Sequence, residues 1–449
     1  MRVERPLLNA LRNPSRVIAV ALALAIVVGT ALLALPVASA DGQRAGWVTA
    51  LFTATSAVCV TGLVVVDTAT YWSWFGELVI LLLIQAGGLG IMTLATLVVM
   101  LLSRRVGLRV RSVVQTETKA VTAADIRRVV RRVVLFSLSV EAVVAALLTL
   151  RFALGHGQAL PQALYSGVFH SVSAFNNAGF GLHPDSLVRY VEDPWVSLTI
   201  AGAVIVGGLG FPVWFELART WRRPRQWSVL TRITVYTTAV LLVTGTVFMV
   251  VAENSNPDTL GGVDREHRLV AAFVAAVMPR TAGFNNLDIA ALRPETLFMT
   301  DIFMFIGGGS AGTAGGVKVT TFGLLAYVIW AETRGERDVH VGTRRVPTAN
   351  QRQALTVALL SVGIVVLATL TMSALTTQGF DVILFETVSA FATVGLSTGI
   401  TASLPVPAQL VLVALMFIGR IGPLTVASAM ALRERPRLYQ LPEERTIVG

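Results

Sequence analysis

The sequence predicts an all-α membrane protein built from four helix–pore-loop–helix repeats, with eight transmembrane helices and four re-entrant pore helices around a pseudo-fourfold pore. Three observations predict it: long apolar runs without charge, basic residues gathered into alternate loops, and a glycine pattern that occurs four times.

Of 449 residues, 54% are hydrophobic and only 14% charged, where a soluble domain of this length carries far more charge. Val17–Pro36, Leu78–Ser103, Pro194–Phe215, Ile233–Ala252 and Gln353–Phe380 hold no charged residue. Each is long enough to cross a hydrocarbon core of about 30 Å as a helix of roughly 20 residues. The first run leads into a short apolar loop without a clear cleavage site, so it reads as a retained helix and not a leader. Cys59 is the only cysteine, which excludes an intrachain disulfide or a cysteine metal cluster. The five His are scattered without an HExxH pair. No set of nucleophile, base and metal ligands suggests an enzyme.

The net charge of +10 would suggest nucleic acid in a soluble protein, but the positions of the cations give a better reason. Most lie in five segments: the N-terminus, Arg104–Arg132, Arg219–Arg232, Arg334–Arg352 and the tail after Leu432. The positive-inside rule makes all five cytoplasmic. Three apolar runs, Val17–Pro36, Ala45–Val66 and Phe75–Ser103, precede Arg104. Three crossings would leave the densest basic loop outside, whereas two restore the rule. The middle run therefore enters and leaves on one side, as a short helix over Trp47–Val58 followed by extended backbone at Thr61-Gly62. Such backbone is tolerated at membrane depth only where it lines a protein-enclosed, watery cavity. The competing reading is a third crossing with odd topology.

The pattern recurs. Short stretches end in Val60-Thr61-Gly62-Leu63, Asn177-Ala178-Gly179-Phe180, Thr281-Ala282-Gly283-Phe284 and Thr393-Val394-Gly395-Leu396, with glycines 117, 104 and 112 residues apart. A second glycine mark starts at Gly87, Gly207, Gly307 and Gly419, at offsets of 25, 28, 24 and 24. Repetition of this kind fixes architecture. Boundaries follow: 1–16 N-terminus, 17–103 repeat 1, 104–132 basic loop, 133–218 repeat 2, 233–330 repeat 3, 354–432 repeat 4 and 433–449 tail. Four extended strands around an axis can present rings of carbonyl oxygens in place of a cation's hydration shell. Glycine lets the backbone approach the ion, and helix C-termini aimed at the centre favour a cation. Apart from Arg280, just before the third loop, these stretches carry no charge.

With these four loops the chain resembles the Ktr/Trk/HKT superfamily of potassium transporters over nearly its whole length, and its KtrB-like branch most of all. The resemblance implies a potassium filter of Val60, Thr61, Gly62, Asn177, Ala178, Gly179, Thr281, Ala282, Gly283, Thr393, Val394 and Gly395, binding K+ only through backbone oxygens. In the plant HKT branch a Ser at the first glycine goes with sodium preference, so Gly62 favours potassium. None of the loops reads TVGYG. The resemblance further implies no cofactor, K+ as the transported ion with Na+ left open, and a homodimer on a cytosolic ring of nucleotide-binding RCK-type subunits. It places the chain in the bacterial inner membrane with both termini cytoplasmic. The basic loops are candidate docking surfaces for that ring or for anionic lipid headgroups.

The second helix of repeat 3 should run from about Leu297 to Trp330, but its middle reads Gly307, Gly308, Gly309, Ser310, Ala311, Gly312, Thr313, Ala314, Gly315, Gly316, Val317, Lys318. So many glycines cannot hold a regular helix, at about 1 kcal/mol each relative to Ala. The stretch resembles the family's intramembrane loop beneath the filter, which makes 306–318 the expected gate. A phosphate loop is excluded by Val317 and Val319 around Lys318 and by the membrane context. A small-residue helix-packing stretch is the remaining alternative. Arg420, the only charge in Leu404–Leu432, should face the cavity or a partner, and by resemblance it lies near the gate loop. The competing partner is a buried carboxylate, Glu141 or Glu386. Glu141 itself is expected to pair with an Arg, with a proton site as the alternative. Acidic residues of the outer segments, Asp67 and Asp185 among them, suggest a negative vestibule. Cys59 is expected to pack behind the filter. The rival function is an alternating-access secondary transporter, whose marks are inverted repeats and intramembrane carboxylates.

Overall fold

The computed structural model describes residues 14–90, 93 and 123–422. Most of the N-terminal basic segment, residues 104–122 and the basic tail lie outside that set, so the docking surfaces expected there are not part of the description.

The chain is predominantly helical. It runs through α1 (Pro14–Leu33), α2 (Trp47–Cys59), α3 (Thr68–Tyr71), α4 (Trp74–Gly90), α5 (Ala123–Gly155), α6 (Leu160–Phe175), α7 (Pro194–Leu209), α8 (Phe211–Thr220), α9 (Val229–Glu253) and α10 (Arg265–Val277). It continues through α11 (Pro294–Phe305), α12 (Val319–Thr333), a two-stranded hairpin of β1 (His340–Val341) and β2 (Arg344–Arg345), α13 (Thr348–Leu375), α14 (Phe380–Ala392) and α15 (Val406–Ile421). Among the described residues three helices are long and apolar enough to cross a membrane: Arg127–Gly155, Val229–Glu253 and Thr348–Leu375. A fourth span results if α7 and α8 are taken together. Leu154, Val247 and Leu367 are exposed on these helices, an apolar surface suited to lipid and not to water.

Four short helices, α2, α6, α10 and α14, stand at the centre. Their bulky residues Phe52, Phe169, Phe175, Phe385 and Phe391 are fully buried. Each is too short to span, and each is packed by its neighbours on the chain, α6 against α5 and α7, α10 against α9.

One span expected to be continuous is broken. The run Pro194–Phe215 does not form one helix: α7 and α8 meet at 96° about Gly210, whose φ is 90°. A side chain there would have its Cβ 2.6 Å from Ser310 O. Pro212, which suits the first turn of a new helix and disrupts an old one, is the sequence signal for this break. The interruption expected inside Leu297–Trp330 is present, and α11 and α12 flank it from Pro294 to Thr333.

Asp193, in the connection ahead of α7, caps that helix by accepting from Trp195 N at 3.0 Å and Val196 N at 3.4 Å. It also accepts from Arg151 Nε at 2.8 Å and lies 2.8 Å from His156 Nε2. Burial alone would raise its pKa. The Arg151 and His156 bonds outweigh that and hold the carboxyl below its usual range. A depressed carboxyl stabilises the fold above the unfolded value of about 4 and loses that contribution as pH falls through the folded value. Asp193→Asn keeps the cap but discharges the bonds to Arg151 and His156, and is expected to lower the thermal midpoint of the detergent-solubilised protein by about 2–4 °C at pH 7, a loss of about 1 kcal/mol. The gap from wild type should close as the pH drops below about 4; equal midpoints at neutral pH would mean that the charged bonds to Arg151 and His156 add no stability.

Candidate functional site

The four short helices end alike. The residue after or near each C-terminus adopts a left-handed conformation, with φ of 56° at Val60, 58° at Asn177, 64° at Thr281 and 51° at Thr393. Two residues on, Gly62, Gly179, Gly283 and Gly395 have φ of 91°, 72°, 75° and 94°. Positive φ at β-branched residues is rare and persists only where surroundings impose it. Here the helix-ending bonds impose it: Thr61 N donates to Ser56 O at 2.8 Å, Ala178 N to Ser173 O at 2.7 Å and Val394 N to Ser389 O at 2.9 Å. Ser56 Oγ and Ser389 Oγ then accept from Gly62 N and Gly395 N, both at 3.1 Å.

The four glycines close a ring. A Cβ on Gly62 would lie 2.5 Å from Ala178 O, one on Gly179 2.7 Å from Gly283 Cα, and one on Gly283 2.6 Å from Val394 O. A Cβ on Gly395 would collide with Thr61 O. Loop one thus touches loop two, two touches three, three touches four, and four returns to one. All twelve residues expected in the filter are brought together, and the eight that are not glycine are buried. Among the described residues the buried hydroxyls of Thr61, Thr281 and Thr393 have no protein partner. Cys59 is fully buried among apolar side chains behind the first loop. Arg280 donates to Thr238 Oγ1 in α9 at 3.2 Å.

Outside the ring opens a cavity of about 370 Å³, lined by all four glycines and by Asp67, His183, Ser186, Asn285, Ser397 and Thr401 among others. The expected negative vestibule is largely absent from it. Of the acidic residues of the outer segments, Asp67 alone lines this cavity, and it is engaged by Thr70 N at 3.0 Å. Asp185 and Asp193 are drawn into pairs with Arg189 and Arg151. Glu253 is buried under Asn256, Thr259, Arg293 N and Thr296.

On the opposite side of the ring lies the glycine-rich segment. All of Gly307–Gly316 is buried except Ser310 and Gly316, which are half-buried. Gly307 N donates to Val317 O at 2.8 Å, in a parallel bridge that joins Ile306 to Val317 and closes the loop at its base. Gly309 N donates to Gly208 O at 2.7 Å and Thr313 N to Gly207 O at 3.2 Å. Thr313 Oγ1 is 2.9 Å from the side-chain amide of Asn177. Gly315 and Gly316 lie against Thr393 and Ala392, and Lys318 Nζ turns back onto Ala314 O and Gly315 O. The loop therefore spans the base of the ring from loop two to loop four.

Arg420 reaches this loop and, among the described residues, no carboxylate. Its guanidinium donates to Thr313 O and, at 3.1 Å, to Gly87 O. Glu386 is bonded by Ser397, Thr398 and Thr401. The expectation that Glu141 pairs with an Arg is corrected: it accepts from Gln85 Nε2 at 3.1 Å and Asn176 Nδ2 at 3.2 Å. Two neutral amides satisfy it where an ion pair was expected. The second glycine mark acquires a reason as well. Gly87, Gly207 and Gly419 sit directly on the carbonyls of Val58, Phe175 and Phe391, at the ends of α2, α6 and α14, where a Cβ would collide.

The family model described as TrkH, cation transport protein, matches residues 9–440. The chain is 40% identical over 437 residues to the Ktr system potassium uptake protein B of Bacillus subtilis (strain 168), covering 97% of each. It is 32% identical over 443 residues to the potassium/sodium uptake protein NtpJ of Enterococcus hirae, again covering 97% of each. Among solved structures, the potassium transporter TrkH from Vibrio parahaemolyticus superposes with a TM-score of 0.75 at 17% identity, over 94% of this chain and 85% of the other.

Proposed function

We propose that this chain, which belongs to the TrkH family of cation transport proteins, is the membrane subunit of a potassium uptake system and conducts the ion through the ring of four glycine loops. The observation that carries the reading is the closed ring itself. The carbonyl oxygens of Ala178, Val394 and Thr61 each lie against the glycine of a neighbouring loop, and carbonyls gathered in this way can replace a hydration shell. Helices α2, α6, α10 and α14 aim their C-terminal ends there, and their partial negative charge favours a cation. The partnerless hydroxyls of Thr61, Thr281 and Thr393 suit the same path.

In this reading the four short helices are re-entrant and the longer ones make up eight crossings, with both termini cytoplasmic in the plasma membrane. The segment 306–318 is the gate, and Arg420 tethers it. The name of the Bacillus relative, protein B of a system, fits a chain that works with another subunit. A homodimer on a nucleotide-binding cytosolic ring is the assembly proposed. The Enterococcus relative is named for both potassium and sodium uptake, so sodium influence is proposed too. Alternating access has less support, because Glu141 and Glu386 are enclosed by hydrogen bonds from protein groups.

Expression in a bacterium lacking potassium uptake tests this. Growth on limiting potassium is expected with the wild-type chain, and no growth despite membrane insertion would overturn the reading. Arg420→Gln frees Thr313 O and Gly87 O, and is expected to raise rubidium tracer flux about three- to tenfold, the effect of one to two charge-assisted hydrogen bonds on an open–closed balance. Unchanged flux and gating would remove Arg420 from the pore.

A further inference from the structure

His170 and Glu386 hold the same place on two short helices, seven residues before Asn177 and Thr393, the left-handed residues that end them. Both are buried, at 1% and 0% exposure. His170 Nδ1 lies 2.8 Å from Ser166 O. A carbonyl oxygen only accepts, so Nδ1 carries the proton and Nε2 is left as an acceptor. Leu182 N donates to that Nε2 at 3.4 Å. Glu386 Oε1 accepts from Thr398 N at 3.1 Å and from the Ser397 hydroxyl, while Oε2 accepts from Thr401 Oγ1 at 2.9 Å.

Leu182 and Thr398 are each the third residue beyond the loop glycine. Two unrelated side chains, an imidazole and a carboxylate, thus receive the same backbone N–H. Thr53 and Val274 take the corresponding place in loops one and three, and among the described residues neither accepts a bond from its strand. Loop three leans on its neighbour instead, with Asn285 N donating to Ser186 Oγ at 3.2 Å and Leu187 N to Asn285 O at 2.9 Å. In the order of contacts around the ring, loops two and four are opposite each other. His170 also stacks on His183 of the outer cavity wall, with ring centroids 5.4 Å apart, and meets Phe284, the residue after Gly283, at 6.3 Å.

We propose that His170 and Glu386 are the positioning residues for ion selectivity: two opposed anchors that hold the outer strands of loops two and four apart. The assignment rests on the pore reading above. A ring of carbonyls rejects a smaller cation only as far as it resists closing around it. A strand tied to a buried acceptor resists, whereas an untied one follows the ion inward.

Potassium and sodium uptake are compared in proteoliposomes holding purified, monodisperse protein. His170→Leu and Glu386→Leu remove the acceptors. Each is expected to lower the potassium-to-sodium uptake ratio about tenfold. His170→Gln and Glu386→Gln each keep an acceptor oxygen and should stay within about twofold of wild type. Ser397→Ala, a milder change that leaves the carboxylate in place, should lower the ratio about threefold and serves if a Leu variant does not fold. Loss of packing alone would reduce protein yield and both fluxes together and leave the ratio alone. An unchanged ratio in the Leu and Ser397→Ala variants overturns the assignment, and so does an equal fall in the Gln and Leu variants. A wild-type chain that carries no potassium overturns the pore reading and this assignment with it.

Discussion

Gly179→Ser is expected to reduce potassium uptake at least about 100-fold, equivalent to about 2.7 kcal/mol. The site combines a φ of 72° with a Cβ position 2.7 Å from Gly283 Cα and 3.0 Å from Ala282 O. The backbone term alone costs about 1–2 kcal/mol for an L side chain. The contact term acts differently, because the obstacle is the backbone of the next loop and not the end of a flexible side chain. Loops two and three must separate, and a carbonyl ring that has opened no longer matches a bare potassium ion. Gly42→Ser is the control: φ is 70° there, yet nothing lies within 4 Å. Rubidium tracer uptake near wild-type level in Gly42→Ser and near background in Gly179→Ser is the expected pair of results. Selective uptake retained by Gly179→Ser would mean the ring is not the filter.

Deleting Gly307–Gly316 is expected to raise uptake about tenfold or more and to make it insensitive to regulation. The deletion is feasible because Ile306 and Val317 already pair as a parallel bridge, and bridged strands lie about 5 Å apart. The bonds from Gly309 N and Thr313 N to Gly208 O and Gly207 O are lost with the loop. Arg420 loses Thr313 O but keeps Gly87 O. The rate of rubidium entry into proteoliposomes reads the effect, and a thermal melt confirms that the bundle persists. A folded deletion variant with unaltered rate would show that the loop packs helices and obstructs nothing, which is the small-residue alternative.

Much of the site was legible in the chain. Charge-free runs and basic loops report on the bilayer because each residue's cost in hydrocarbon is a local property. The loop glycines were visible because no other residue combines positive φ with backbone contact at that distance, so the requirement is written as a residue type. Other features left no such mark. Val60, Thr281 and Thr393 are ordinary strand-forming residues, and their left-handed conformation is imposed by helix ends that the sequence does not display. Pro212 signalled the break at Gly210, but hydropathy reads the same through a bend.

The sequence by itself determined the membrane-embedded class, the fourfold recurrence, the four loop glycines, and the interrupted segment between α11 and α12. Each follows from residue type and spacing along the chain. Tertiary structure alone decided the order of the loops around the ring, the seating of the 306–318 loop on Gly207 and Gly208, and the partners of buried charges. Arg420 bonds to carbonyls 107 and 333 residues away, and Glu141 to amides where a cation was expected. Any peptide carbonyl can satisfy a guanidinium, and any amide a carboxylate. Composition therefore states that a buried charge needs a partner, while only packing selects which one is within reach.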